Sequence, residues 1–189
     1  MILEVVFKMA NEATKVCTGK VRASYVNVWQ PKSINGSDAK YSMSLIVPKA
    51  DIEGVKRIKA AIEAAKQEGL SKFGGKIPAN LKTPLRDGDI DRSDDEAYAN
   101  CYFINANSAT KPGIVDRNRQ PILDTTEFYS GCYARVTLNF YAYNSNGNRG
   151  IACGLQNIQK LADGEPLGGR RRAEDDFDVW EDNDDDFLS

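Results

Sequence analysis

Two hydrophobic periods alternate along the chain. Lys15 to Trp29, KVCTGKVRASYVNVW, is rich in β-branched and aromatic residues, and Tyr41 to Pro48, YSMSLIVP, resumes that character after the turn-forming SINGSDAK. The pattern predicts two strands joined by a loop. The period then changes: Ile52, Val55, Ile58, Ile62 and Ala65 recur at helical spacing, opposite Lys56, Lys59, Glu63 and Lys66. With Asp51 placed as N-cap and Gly69 as C-cap, this predicts one inserted α-helix over about 51–68. Leu70 to Glu96 holds glycines, prolines and charges without periodicity and reads as a long loop.

Strand character returns in AYANCYFINANS, and KPGIVDRNRQPIL places two short apolar runs around a polar turn, a hairpin signal. After Gly131 the run CYARVTLNFYAY alternates cleanly. Cys132, Ala134, Val136, Leu138, Phe140 and Ala142 fall on one face, and Tyr133, Arg135, Thr137, Asn139, Tyr141 and Tyr143 on the other. The turn NSNGNR leads to a last strand, GIACGLQNIQKL, and ADGEPLGG closes the domain. Several strands and one helix predict a mainly β fold, a small barrel and not a βαβ sheet.

At 189 residues and 41% hydrophobic content the chain has room for one domain with a real core. The expected division is a flexible N-terminal segment (1–14), a folded domain (15–168) and a disordered acidic tail (169–189). The apolar start, MILEVVFKM, is interrupted by Glu4 and Lys8 and lacks a cleavage-site pattern, and no run reaches membrane-spanning length, so a cytoplasmic protein is expected. Cys17, Cys101, Cys132 and Cys153 are far apart without a CxxC pair, which predicts buried reduced thiols.

Charge changes the picture further. The net charge of −2 hides a segregation: all 25 Lys and Arg precede Ala173, while nine of the 27 acidic residues follow it. The first 172 residues therefore set 25 cations against 18 anions, a basic body with an acidic leash. The chain has no histidine, which removes the commonest neutral-pH base and zinc ligand and argues against an enzyme.

Single-stranded nucleic acid is held by rings that stack on bases and by cations that neutralise phosphates. The outer face of the Cys132–Tyr143 segment supplies both in Tyr133, Arg135, Asn139 and Tyr141. Lys20 and Arg22 offer a second basic row, Tyr25, Trp29, Tyr41 and Tyr102 are further stacking candidates, and Arg117 and Arg119 sit in a hairpin turn where long cations reach a backbone. Tyrosine is also an ordinary strand former, and strand Lys and Arg keep a face wet, so no single one of these residues needs a ligand. The combination is what points to a nucleic-acid groove.

Asp87, Asp89, Asp91, Asp94, Asp95 and Glu96 raise the alternative of a Mg²⁺-dependent nuclease. The calcium-loop pattern fails, with Arg92 where glycine is needed and Tyr98 where the closing glutamate is needed, and a solvated acidic loop is the simpler reading. No cofactor or metal is expected. The tail combines carboxylates with sparse apolar residues that cannot form a core. Trp180, Asp184, Asp185, Asp186 and Phe187 have the make-up of a docking peptide for a basic, apolar pocket.

Three segments in this order, VRASYVNVWQPK, KPGIVDRNRQPI and FYSGCYARVTLNFYAYNSNGNRGIACGLQNIQKLADGEPLGG, resemble a family of phage-encoded single-stranded DNA-binding proteins, formerly a domain of unknown function. The resemblance spans roughly Val16 to Gly169. It implies an OB-type fold and a role in phage DNA replication, recombination and repair, with the tail recruiting replication or recombination proteins. Strand annealing is the rival binding role, and a homodimer is left open. Phe187 is followed by Leu188 and Ser189, a departure from tails that end on the aromatic residue.

Overall fold

The alternation after Gly131 is realised residue by residue in the computed structural model, which describes residues 12–168 and 176–180. There the strand Tyr133–Ser145 (β7) buries Ala134, Val136, Leu138, Phe140 and Ala142 and turns Arg135 and Tyr141 to solvent. Each large side chain so buried contributes about 1.5–3 kcal/mol. In chain order the other elements are β1 (Lys15–Cys17), β2 (Val21–Lys32), β3 (Lys40–Pro48), α1 (Ile52–Glu68), β4 (Leu85–Asp87), α2 (Gly88–Asp91), β5 (Cys101–Ser108), β6 (Gly113–Val115) and β8 (Asn148–Ala162).

Five strands close on themselves. β2 pairs antiparallel with β3, and β3 with β5. β5 meets β8 in parallel at Asn107 and Gly154. β8 pairs antiparallel with β7, which returns to β2 at Val21–Ala134 and Arg22–Tyr133. This circuit, with one parallel contact, is the OB-type barrel. Its interior holds Ala23, Val28, Met43, Leu45, Val47, Ile104, Ala106, Leu138, Phe140 and Leu155. The predicted hairpin forms as well: Asp116 N–H donates to Gln120 O (2.9 Å), Ile122 N–H to Ile114 O (2.9 Å), and β6 pairs with β8.

The predicted helix forms with its predicted caps. Gly54 N–H donates to Asp51 Oδ1 at 3.1 Å, and Gly69 N–H closes onto Ala65 O at 3.0 Å. Val55, Ile58, Ala61, Ile62 and Ala65 are buried in the main core, but Ile52 projects into solvent at the first helical position.

Three expectations need correction. The single strand foreseen over Lys15–Trp29 is broken at Thr18–Lys20, so that Lys20 lies in the break and not on a strand. Thr18 N–H donates to Val136 O, Thr18 Oγ1 accepts from Val136 N–H (2.9 and 3.0 Å), and a Cβ on Gly19 would stand 2.4 Å from Asp51 Oδ2. Tertiary contacts thus bend a segment whose local pattern is continuous. The Leu70–Glu96 segment is not a featureless loop. It contains β4, paired to β5, and α2, and the turn Glu96–Tyr98 follows. Finally, only Cys132 and Cys153 are buried; Cys101 is partly covered and Cys17 is exposed, all four being free thiols. Burial pushes the thiols of Cys101, Cys132 and Cys153 up from their ordinary range.

A smaller apolar cluster, Ile46, Tyr98 and Phe103, lies on the outer side of β3 and β5. Tyr98 and Phe103 meet edge to face at 5.3 Å, and Tyr98 Oη donates to Ser24 Oγ at 3.2 Å. The segment after β4 therefore roofs part of the outer barrel surface and leaves the rest open. No helix among the described residues is long and apolar enough to cross a membrane.

Candidate nucleic-acid interface

The open part of that surface is a cleft of about 640 Å³. Its floor follows from strand parity: Met43, Leu45, Ile104 and Ala106 point into the barrel, so Ser42, Ser44, Asn105 and Asn107 point out and line the cleft. Lys32 and Lys40 stand on the rim at the β2–β3 connection, and Tyr25 and Arg92 also line it.

Tyr25 owes its place to an irregularity in β2. Ser24 pairs with Ser44 but Asn27 pairs with Ser42, so β2 carries one residue more than β3 over this stretch, a β-bulge. Tyr25 takes up the bulge with φ of 46°, and it is 58% exposed. The Arg92 guanidinium carbon lies 5.7 Å from its ring centroid and 5.6 and 5.7 Å from those of Tyr98 and Phe103.

The other expected binding residues are distributed around the barrel. Lys20 and Arg22 converge on Tyr133, at 5.5 and 5.6 Å from its ring. Arg22 is engaged there, donating to Gly131 O (3.3 Å) and Glu165 O (2.6 Å). Trp29 donates its indole N–H to Phe128 O at 3.0 Å, with Lys111 over its ring. Tyr102 packs against the core beneath Lys49 and Lys59, and Tyr41 is half-buried. Arg119 and Arg135 share a second cleft, of about 250 Å³, with Cys17 and Thr137. Arg135 Nε donates to Gln159 Oε1 at 2.5 Å, while Gln159 Nε2 donates to Arg117 O at 3.2 Å. Asn139 Oδ1 accepts from Thr14 Oγ1 at 3.2 Å, and Tyr141 is 42% exposed. In the tail Trp180 is exposed, and Asp184, Asp185, Asp186 and Phe187 lie outside the described residues.

Of the stacking candidates, then, Tyr25 is the one in the large cleft. Arg92, Lys32, Lys40, Asn105 and Asn107 were not foreseen. The signal for the two asparagines was present in NANS, where the parity argument used for β7 puts Asn105 and Asn107 on one face.

The acidic run does structural work. Lys49 Nζ is held by Asp87 (2.8 and 2.9 Å) and Asp89 (2.7 Å), Arg86 by Asp91 (3.2 Å), and Asp95 caps Ala97 N–H (3.1 Å). The ammonium of Lys49, then the Asn100 N–H, hold Asp89 below the usual carboxylate range. A depressed carboxylate stabilises the fold above the unfolded-chain pKa, and that contribution is lost as pH falls through the folded value. Lys49→Gln removes the larger cause, so acid unfolding followed by circular dichroism is expected to begin at higher pH than in the parent. An unchanged acid midpoint would refute the clamp.

A closed OB barrel whose second and third circuit strands carry a polar cleft, lined by Lys32, Lys40 and Arg92 with Asp38, presents the face on which OB barrels bind oligonucleotides and oligosaccharides. The chain belongs to the family described as "Enterobacter phage Enc34, ssDNA-binding protein", whose model matches residues 14–188. It is 30% identical over 176 residues to "Putative protein p50" of Acyrthosiphon pisum secondary endosymbiont phage 1, covering 87% of this chain and 92% of that one. The solved single-stranded DNA-binding protein from bacteriophage Enc34, in complex with ssDNA, superposes with a TM-score of 0.74 at 25% identity over 83% of this chain and 91% of its own. The single-stranded DNA-binding protein gp2.5 of bacteriophage T7 shares the fold, with a TM-score of 0.58 at 15% identity over 86% of this chain and 91% of its own.

Proposed function

We propose that the chain binds single-stranded DNA in the cleft on the outer face of β3 and β5. The observation that carries this reading is the coincidence of the open cleft with the face on which OB barrels hold oligonucleotides, in a chain similar along most of its length to a protein solved with ssDNA. The protein acts as a binder and not as a catalyst, coating and protecting exposed strands in phage DNA replication, recombination and repair within the host cytoplasm. Its acidic tail brings replication or recombination proteins to the coated strand. Annealing of complementary strands and Mg²⁺-dependent cleavage are the rival outcomes, and labelled single-stranded and duplex DNA incubated with and without Mg²⁺ separate them.

The outer face of β7 supports a second path, because Tyr141 is exposed and Arg119 and Arg135 line one cleft. Variants decide between the two. Each neutralised phosphate of a single strand contributes about −0.7 to the log–log salt slope. If Lys32, Lys40 and Arg92 each neutralise one phosphate, the slope is about −2, so affinity for oligo-dT falls roughly 20-fold from about 50 to 200 mM salt. Lys32→Gln and Lys40→Gln are expected to weaken binding and flatten that slope. If instead Tyr133→Ala, Arg135→Ala and Tyr141→Ala are the variants that lose affinity, by about 1–3 kcal/mol per lost stacking ring, the strand runs over β7.

A further inference from the structure

We propose that Tyr25 and Arg92 form a one-nucleotide clamp in the cleft, the Tyr25 ring taking an unstacked base and the Arg92 guanidinium the adjoining phosphate. The inference rests on the cleft being the DNA path.

Three observations carry it. The first is strain. Tyr25 holds φ of 46° while more than half exposed. A bulky L-residue in the left-handed region is costly, glycine or asparagine being the usual occupants. An exposed ring recovers little of that cost by burial. What the conformation does achieve is to stand the ring up from the strand beside the cleft, the situation in which backbone strain accompanies function.

The second concerns the partners of Arg92. It stands in a run with Asp87, Asp89, Asp91, Asp94, Asp95 and Glu96, yet forms no ion pair with a described residue. Asp87 and Asp89 are taken by Lys49 and Asp91 by Arg86, while Asp95 caps a turn. The guanidinium is instead fixed over three rings, including Tyr25, and half-buried at the cleft wall. A guanidinium set among rings, with no ion pair to a described carboxylate, retains N–H donors for an oxyanion.

The third is an orphan in the floor. Among the described residues, Ser44 Oγ is the buried side-chain polar atom without a hydrogen-bond partner. Ser44 lines the same cleft and pairs across the ladder with Ser24, next to Tyr25. Such atoms are rare in folded proteins; covered as it stands, Ser44 Oγ leaves a polar, imperfectly satisfied floor beside the bulge, which the polar edge of a base engages only as the floor opens. Because the ring is reached by a base that has left a duplex stack, the clamp selects single strands.

The test compares oligo-dT with an abasic deoxyribose-phosphate oligomer of equal length. Tyr25→Asn relieves the backbone strain and removes the ring, so thermal stability is expected to hold or rise while oligo-dT affinity falls about 5- to 150-fold. Abasic-oligomer affinity should stay unchanged. Arg92→Gln is expected to weaken both ligands and to flatten the salt slope by about 0.7, one phosphate. Arg92→Lys, which keeps the charge, should retain the slope. Equal losses on both ligands for Tyr25→Asn, or an unaltered slope in a folded Arg92→Gln protein, would overturn the clamp. If the parent protein fails to bind oligo-dT at all, the reading beneath it fails instead.

Discussion

Gly131→Ala is expected to destabilise the barrel by about 3 kcal/mol and to lower the unfolding temperature by roughly 10 °C, because strain and collision act together. Gly131 has φ of 120°, and a Cβ there would stand 2.2 Å from Glu165 O, 2.9 Å from Glu165 C and 3.0 Å from Pro166 Cα. All three are backbone atoms, so no rotamer change relieves the clash. The contact is one stitch in a seam. Gly131 N–H donates to Ala23 O at 2.8 Å, Leu167 N–H donates to Ser130 O at 2.9 Å, and Arg22 reaches both Gly131 O and Glu165 O. Displacing the 163–167 strap therefore disturbs the junction of β2 and β7 where the barrel closes. Gly147→Ala is the control: φ is 82°, but nothing lies within 4 Å of its Cβ, so it carries only the left-handed penalty of about 1–2 kcal/mol. Denaturant unfolding of both variants checks the argument, and a Gly131→Ala protein no less stable than Gly147→Ala would refute it.

The seam also explains what sequence reasoning reaches and what it does not. The helix α1 was legible because its evidence is local: Asp51, Gly69 and the 3.6-residue apolar period all lie within the element itself. β7 was legible for the same reason, since period-two alternation from Cys132 to Ala142 needs no knowledge of its partners. The break at Thr18–Lys20 depends on Val136 and Asp51, residues distant in sequence, and its local mark is a single residue, Gly19. β4 is three residues long with no period to detect, and it exists because β5 offers Leu85–Asp87 a ladder.

The site divides along the same line. Ring type marked Tyr25, Trp29, Tyr41 and Tyr102 as equals, but facing is set by partners such as Phe128 O for Trp29 and by the bulge for Tyr25. In the sequence Arg92 is marked only as the residue that spoils a calcium loop. It forms no ion pair with a described carboxylate because Lys49 and Arg86 occupy neighbouring acids. Which barrel face carries the cleft is a property of closure, the parallel contact of β5 with β8, and no single strand encodes it.

Deleting residues 173–189 is expected to strengthen oligo-dT binding on the order of tenfold at low salt and to leave it nearly unchanged at high salt. The deleted stretch carries nine carboxylates and no cation, beyond a body with 25 cations against 18 anions. A segment of that charge, joined to the chain just after Leu167, which packs on the Ile46–Tyr98–Phe103 cluster, is expected to compete with phosphate for the same Lys and Arg at a high effective concentration. Competition has a signature that a general charge effect lacks. Where tail carboxylates already cover a cation, DNA binding releases the tail in place of counterions, so the full-length protein should show the shallower salt slope. Removing the tail should steepen it by about 0.7 for each cation uncovered. The two curves then converge as screening grows and the tail lets go. Trp180→Ala with Phe187→Ala separates this from docking, because it keeps all nine carboxylates and removes two apolar anchors, of which Trp180 is 87% exposed. On the proposed docking role, that double variant should bind oligo-dT like the parent and lose any protein that the parent captures from infected cells through the tail. Parallel salt curves for full-length and truncated protein would eliminate the competition, and an unchanged capture by the double variant would eliminate the docking peptide.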